Sequence, residues 1–166
     1  MRRHRAVCAL VLALLFGALV SGVHAADAAP RTVTVGIYLN QIFATDIKAN
    51  QFAADFYIWF DWEGDDIQPI DSFELMNGRI TSKSSLVRKK IGTHNYAVVR
   101  CVANVTKVWD LRRFPLDSHV LTLEVEDSAS DERGLRYVED TENAGINDAL
   151  EIPGWAVGTR HGAVAR

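Results

Sequence analysis

Apolar and polar residues alternate most regularly between positions 52 and 62. The even-numbered positions in this stretch are all apolar, whereas the odd-numbered positions include carboxylates as well as aromatic residues. A period of two sustained over such a length is typical of a long β-strand with one buried face. We therefore expect the even-numbered side chains to form part of a hydrophobic core, namely Phe52, Ala54, Phe56, Ile58, Phe60 and Trp62.

The odd-numbered face of the same strand carries Tyr57 and Trp59 between two aspartates, Asp55 and Asp61. Aromatic side chains on the second face of a strand can form a ligand-binding or subunit surface. They can equally pack against the side chains of neighbouring strands. The pattern alone leaves both interpretations open for this face.

Further strands are indicated by runs of β-branched and aromatic residues that are bounded by turn residues. Between them, Asn77-Gly78 favours a hairpin within residues 69–79, and the polar stretch 82–93 is interpreted as a solvated connection. After residue 25 no segment keeps a helical period over three turns, so the predicted class is all-β, a twisted immunoglobulin-like β-sandwich. The predicted strands are 32–43, 52–62, 95–108, 120–126, 134–138 and 156–164.

The first 25 residues have the pattern of a secretory signal peptide. Three arginines lie within residues 1–5, an apolar run follows at 6–20, and small side chains stand at Val23 and Ala25. This apolar run is too short to span a bilayer, which needs roughly 20 residues. We therefore expect cleavage after Ala25, export to the periplasm, and a mature domain that comprises residues 26–166.

The composition of the mature domain excludes several classes of function. It retains 15 basic and 21 acidic side chains, a net charge of −6, and therefore offers no basic face to nucleic acid. Cys101 is its only cysteine, so no disulfide can form within it, and we expect this thiol to be buried. The sequence contains no His-Glu-x-x-His metal motif, glycine-rich phosphate loop or Gly-x-Ser-x-Gly elbow. We therefore expect no catalytic residue, no metal and no cofactor, and the protein is not expected to be an enzyme.

The most specific motif of the chain lies between positions 111 and 121. A proline after an aromatic residue removes a backbone donor and fixes its own φ angle, which favours a rigid turn. The carboxylate of Asp117 should be held by backbone donors and by a neighbouring arginine, Arg112 or Arg113. The motif resembles the signature loop of pentameric ligand-gated ion channels, the Cys-loop receptor superfamily, in which this loop couples the ligand-binding domain to the pore. The corresponding coupling residues here are Arg113, Phe114, Pro115, Leu116 and Asp117.

The resemblance extends along most of the mature domain. Residues 35–39 and 52–62 are similar to the first two strands of bacterial members, and Gly154-Trp155 is similar to the start of their ninth strand. The resemblance implies a pentamer of identical subunits, which binds its ligand between neighbouring subunits. It also places Tyr57 at a ligand-binding position on the second strand, with Trp59 beside it on the same face.

Two classes of agonist are compatible with these residues. Amines suit an aromatic surface because cations are attracted to the faces of aromatic rings. Protons suit clustered carboxylates and His119, because imidazole changes its charge near neutral pH. The sequence therefore leaves a small-molecule agonist and a proton agonist open.

Residue 166 precedes the capping hairpin and the four membrane helices that the resemblance implies. We therefore expect a truncated ligand-binding domain, residues 26–166, with no transmembrane domain of its own. Its function would be to couple agonist binding, on the periplasmic side of the inner membrane, to gating of a membrane pore that this chain does not contain. The alternative hypothesis is a soluble periplasmic β-sandwich that acts as a binding or interaction module without channel activity.

Overall fold

The computed structural model of the protein describes residues 29–159 and residue 162. The predicted signal peptide, residues 1–25, lies outside the described residues. Within them the chain forms strands and a single-turn helix in the order β1 Arg31–Asp46, β2 Gln51–Glu63, α1 Pro69–Ser72, β3 Phe73–Leu75, β4 Gly78–Ile91, β5 His94–Thr106, β6 Val125–Asp127, β7 Leu135–Glu139 and β8 Gly145–Ile146.

Strand β2 lies at the centre of the larger of two sheets. The order of strands in this sheet is β4-β5-β2-β1-β7, and β8 also pairs with β1. Because β2 is antiparallel to both neighbours, Phe56 lies opposite Leu39 on β1 and Cys101 on β5. A smaller sheet consists of β3 and β6 in antiparallel register. The predicted all-β sandwich class is thereby confirmed.

The even-numbered face of β2 is buried in the core, as predicted. Its six side chains are each at most 4% exposed. From the smaller sheet, Phe73 packs against Phe60 with the two ring centroids 5.3 Å apart. Cys101 on β5 is also fully buried, as expected, and burial raises the pKa of its thiol to about 11. Removal of these apolar side chains from water is the main favourable contribution to folding.

The polar stretch 82–93 is not a solvated connection, so that interpretation was wrong. It forms most of β4, an edge strand of 14 residues that pairs with β5. The side chains of this stretch are exposed, so it lacks the apolar alternation by which a half-buried strand is recognised. Backbone hydrogen bonds to β5 hold the strand in place. Lysine and arginine side chains on an edge strand, such as those of β4, oppose its pairing with strands of other chains.

Asn77-Gly78 does not close a hairpin, although it is a strong turn signal. β3 pairs with β6 in the smaller sheet, whereas β4 pairs with β5 in the larger one. This turn therefore carries the chain from one sheet to the other. Gly78 is required there because a Cβ atom would lie 2.5 Å from the carbonyl oxygen of Asn104. The side chain of Asn77 donates a hydrogen bond to the carbonyl oxygen of Thr122 at 2.9 Å, which fixes this turn to the segment that leads into β6.

The later predicted strands are present to different degrees. Residues 134–138 correspond to β7, as predicted. Within 120–126 only the last two residues join a ladder, as part of β6. Residues 156–159 form no strand, and the rest of that predicted strand lies almost entirely outside the described residues. In the part of the chain that the structure describes, we find no helix of the length and apolarity that crossing a membrane requires.

The burial of β2 predicts where substitutions are most destabilising. Phe56→Ala should lower the free energy of unfolding by about 3–5 kcal/mol, because it empties a fully packed site. The matched control is Phe43→Ala on β1, whose side chain is 51% exposed. Loss of this exposed ring should change the stability by less than about 0.5 kcal/mol. Denaturant unfolding followed by tryptophan fluorescence measures both variants, and equal effects would contradict the assignment of this face to the core.

Candidate functional site

A buried pair of side chains anchors the predicted coupling loop. Nε2 of His119 lies 2.5 Å from Oδ2 of Asp117, and both side chains are only 5% exposed. An ionised carboxylate can only accept, so the imidazole donates in this geometry. The expectation that a neighbouring arginine holds the carboxylate of Asp117 was wrong. Arg112 is 87% exposed, and its Nε–H donates to Asp110 at 2.8 Å instead. The sequence separation of two residues lets Asp117 and His119 meet on the inner side of the loop.

Two tryptophans enclose His119. The ring centroids of Trp109 and Trp155 lie 5.1 and 5.3 Å from that of the imidazole, and both contacts are edge-on. The indole Nε1 of Trp109 is buried and has no acceptor among the described residues. Because water is largely excluded here, the hydrogen bond between His119 and Asp117 is stronger than the same bond would be in solvent.

The tip of the coupling loop is apolar and points into solvent. The peptide bond between Phe114 and Pro115 is cis. Within the turn, the backbone N–H of Leu116 donates to the carbonyl oxygen of Arg113 at 2.8 Å. The side chain of Phe114 is 70% exposed and that of Leu116 is 84% exposed. A cluster of exposed large apolar side chains is typical of a surface that another protein or a membrane covers.

Trp59, one of the two predicted ligand-binding aromatics, packs within the domain. It is 9% exposed, and its Nε1–H donates to Oδ2 of Asp140 at 2.9 Å. Its indole lies against the backbone of Gly36, where a Cβ atom would approach Cζ2 to 2.1 Å. Burial disfavours ionisation of Asp140, but hydrogen bonds from Trp59 and Asn143 outweigh it and hold the pKa of this carboxyl below its usual value.

Tyr57, the other predicted ligand-binding aromatic, is half-buried beside an ion pair. The neighbouring Asp55 is 1% exposed and accepts from Nε of Arg100 at 2.9 Å and from Nδ2 of Asn40 at 3.0 Å. The hydrogen bond from Arg100 exceeds the effect of burial and lowers the pKa of Asp55, while the same bond raises the pKa of Arg100. The guanidinium of Arg100 lies over the ring of Tyr57, with Cζ 5.6 Å from the ring centroid.

The predicted ligand-binding aromatics lie on the opposite face of the larger sheet from the side chains around His119. Trp109, His119 and Trp155 line a groove between the two sheets, with a volume of about 1420 Å³. Tyr57 and Trp59 point away from that groove, on the outer face of β2.

Sequence reasoning missed Arg100, Asn40 and Asp140. None of them belongs to a motif, because each reaches its partner across strands or from a loop. One signal was available: Asp55 stands between apolar residues in the middle of a strand, and a buried carboxylate requires a cation or hydrogen-bond donors. The sequence does not identify which residue supplies them. Among the described residues, no group of three His, Cys, Asp or Glu side chains is arranged to hold a metal ion.

Comparison with known proteins links the chain to one curated relative. No protein-family model matches the sequence. The chain is similar to a proton-gated ion channel of Gloeobacter violaceus, with 26% identity over 149 residues. The similarity covers 77% of this chain and 41% of the relative, so the chain spans about two fifths of the length of the protein that it matches.

The buried anchor of the loop predicts a stability effect at Asp117. Asp117→Ala removes a hydrogen bond to a buried imidazole and should lower the free energy of unfolding by about 1.5–3 kcal/mol. Asp110→Ala breaks an exposed ion pair in the same loop and should have a much smaller effect. Both are measured by denaturant unfolding, and an Asp117→Ala variant as stable as the parent would show that the pair does not anchor the loop.

The ion pair of Asp55 predicts a pH dependence of stability. The folded-state pKa of Asp55 lies below its unfolded value, so its contribution is present above about pH 4 and is lost as the pH falls through the folded pKa. The parent should therefore lose stability more steeply below pH 4 than the double variant Asp55→Asn/Arg100→Gln, which lacks the ion pair. Thermal unfolding between pH 6 and pH 2 tests this, and parallel pH profiles would refute it.

Proposed function

We propose that this chain is the periplasmic ligand-binding domain of a bacterial pentameric ligand-gated ion channel. The observation that carries the proposal is the loop of residues 113–117. Its base is anchored by Asp117 and His119, and its apolar tip, with Phe114 and Leu116, is exposed. Such a loop suits contact with a membrane-embedded partner domain. The similarity of the chain to a proton-gated ion channel supports the same function.

In this function the loop is the mechanical link between the β-sandwich and the pore. An agonist that binds one conformation of the sandwich more tightly than the other shifts the equilibrium between closed and open states. The shift reaches the pore through the loop, because Asp117 holds His119, which packs against Trp109 and Trp155, while Leu116 contacts the membrane domain. Five identical subunits surround the pore, and the outer face of β2, with Tyr57, lies at the boundary between neighbours.

The agonist is a small molecule or a proton. The similarity of the chain to a proton-gated ion channel supports the proton. His119 is the titratable side chain of the coupling loop that suits this role, since imidazole changes charge in the physiological range. Asp117 accepts a hydrogen bond from this imidazole, and the rings of Trp109 and Trp155 pack edge-on against it.

Electrical recording from the full-length protein that contains this chain tests the proposed function. The protein is reconstituted in planar bilayers and the pH on the periplasmic side is stepped from 7.5 to 5. We expect cation or anion currents that follow the step and close on return to neutral pH, or currents evoked by a small molecule at constant pH. A folded full-length protein that conducts under neither condition would contradict the channel, and one that also fails to enter the bilayer would favour the soluble binding module instead.

Because the tip of the loop is exposed, a substitution there should change gating of the channel without changing the stability of the domain. Leu116→Ser should reduce the maximal current per surface-expressed receptor severalfold while leaving the unfolding of the domain unchanged, because the side chain is 84% exposed. Ile91→Ser is the matched control. It removes a side chain that is 77% exposed at the end of β4, opposite His94 at the start of β5, whereas the coupling loop follows the other end of β5. Equal currents from both variants would contradict a role of the tip in gating.

A further inference from the structure

The two edges of the larger sheet carry charges of opposite sign. Strand β4 forms one edge, whereas β7 and β8 both pair with β1 at the other edge. Strand β4 contains five basic residues and no acidic residue. Residues 137–151, which include the end of β7, the whole of β8 and the loops around it, contain five acidic residues and no basic residue. We call these two surfaces the basic edge and the acidic edge.

Several of these charges are not balanced within the domain. Two side chains of the basic edge, Arg88 and Lys90, form ion pairs with Asp71 and Asp65. Other exposed side chains of the two edges have no oppositely charged partner in the part of the chain that the structure describes. They are Arg79, Lys83 and Lys89 on the basic edge and Glu142, Asp148 and Glu151 on the acidic edge. Surfaces of opposite charge steer two molecules together and fix their register.

The basic edge and the acidic edge lie at the same height along the strands. Lys83 is directly opposite Cys101 on β5, and this row of paired residues continues across the sheet to Leu39 on β1. At the far end of the row, the carbonyl oxygen of Leu39 accepts a hydrogen bond at 2.9 Å from the backbone N–H of Asn147. Asp148 follows directly in the chain. One row of the sheet therefore has a free lysine at one edge and a free aspartate beside the other.

A second row has the same polarity. The row that starts at Lys89 ends at Thr34 on β1. One residue further along β1, the carbonyl oxygen of Val35 accepts a hydrogen bond at 2.8 Å from the backbone N–H of Asp140, in the loop that carries Glu142. Thr34 and Leu39 are separated by roughly 17 Å along an extended strand. The two edges therefore match in height as well as in charge over this length.

We propose that the basic edge of one copy of this chain binds the acidic edge of a second copy. The contact assigns residues to the subunit boundary of the proposed function, and it rests on that function only for the number of subunits. Because the two edges lie on opposite sides of one sheet, every copy can use both of them at once, and association proceeds head to tail. Successive copies that are not displaced along the strands can close into a ring, and the matched heights of the two edges allow this.

The contact adjoins the outer face of the sheet that carries Tyr57. Directly opposed residues in antiparallel strands point to the same face. Lys89 is opposite Tyr96, which stands four residues before Arg100, and Arg100 is opposite Tyr57. A neighbour that is held by Lys89 therefore lies beside this outer face. The contact consists of side chains and does not extend the sheet, because basic residues oppose strand pairing at an edge.

Reversal of the charge on each edge tests the contact. The variant Lys83→Glu/Lys89→Glu makes the basic edge acidic, and the variant Glu142→Lys/Asp148→Lys makes the acidic edge basic. Sedimentation velocity of the full chain, at concentrations up to millimolar, measures self-association. We expect each variant alone to self-associate about tenfold more weakly than the parent, because two attractive pairs become repulsive. An equal mixture of the two variants should associate again, because lysines on one partner then meet carboxylates on the other.

The matched control is Lys48→Glu/Lys107→Glu, which makes the same change of net charge away from both edges. Lys48 lies in the turn between β1 and β2, and Lys107 follows β5 beside that turn, where its backbone N–H donates to the carbonyl oxygen of Asn50. This variant should self-associate like the parent. Equal weakening by the control would show that only net charge matters, and it would overturn the proposal. A parent that stays monomeric at millimolar concentration, or a mixture of the two edge variants that stays dissociated, would overturn it as well.

The outcomes for the contact and for the proposed channel are distinguishable. Self-association that charge reversal abolishes and the mixture restores, in a protein that never conducts, would support the contact and refute the channel. A full-length protein that conducts on acidification, and whose assembly is unchanged by reversal of either edge, would support the channel and refute the contact.

Discussion

The rest of the structure depends on the alternation of side chains along β2. This strand has a neighbour on each edge, and a one-residue slip would exchange its apolar face for the face that carries Asp55. The correct register places Phe60 against Phe73 of the smaller sheet and buries Phe56 in the same core. The same register places Asp55 opposite the region of β5 from which Arg100 reaches it. One constraint therefore determines both the core and the polar face that carries Asp55 and Tyr57.

The two faces of the larger sheet have different roles. The inner face is apolar and continues into the groove that Trp109 and Trp155 line around His119. The outer face is polar and aromatic, and two of its carboxylates, Asp55 and Asp140, have partners within the domain. In the proposed channel, a ligand bound at Tyr57 and the groove around His119 would be separated by this sheet. A tightly packed layer transmits displacement well, because it has little free volume in which to absorb it.

The sequence predicted those elements that a regular alternation of apolar and polar residues, or a single motif, is enough to specify. Period-two alternation identified β2 and its buried face, and the Phe-Pro-Leu-Asp motif identified the loop. The same reasoning failed where tertiary pairing decides the outcome. Strand β4 is held by backbone bonds to β5 and has no apolar alternation to reveal it. Asn77-Gly78 joins two sheets instead of two paired strands, a choice that depends on partners far along the chain.

The candidate site likewise combines residues that the sequence identified with partners that it did not. Tyr57 and Trp59 were assigned to one face by periodicity, but their partners Arg100 and Asp140 come from a different strand and a loop. Asp117 was recognised by its motif, whereas its bond to His119 depends on how the loop folds around two tryptophans. A local pattern thus locates the residues of a site. The chemistry of that site follows from contacts that only the folded chain brings together.

Single-particle electron microscopy of the full-length protein in detergent tests the proposed channel function most directly. A pentameric channel predicts particles with fivefold symmetry around a central axis, in which the tip of the coupling loop, with Leu116, contacts the membrane-embedded part of the assembly. Monomeric particles, or an assembly in which this tip faces solvent, would contradict the proposal that the chain is the ligand-binding domain of a pentameric channel.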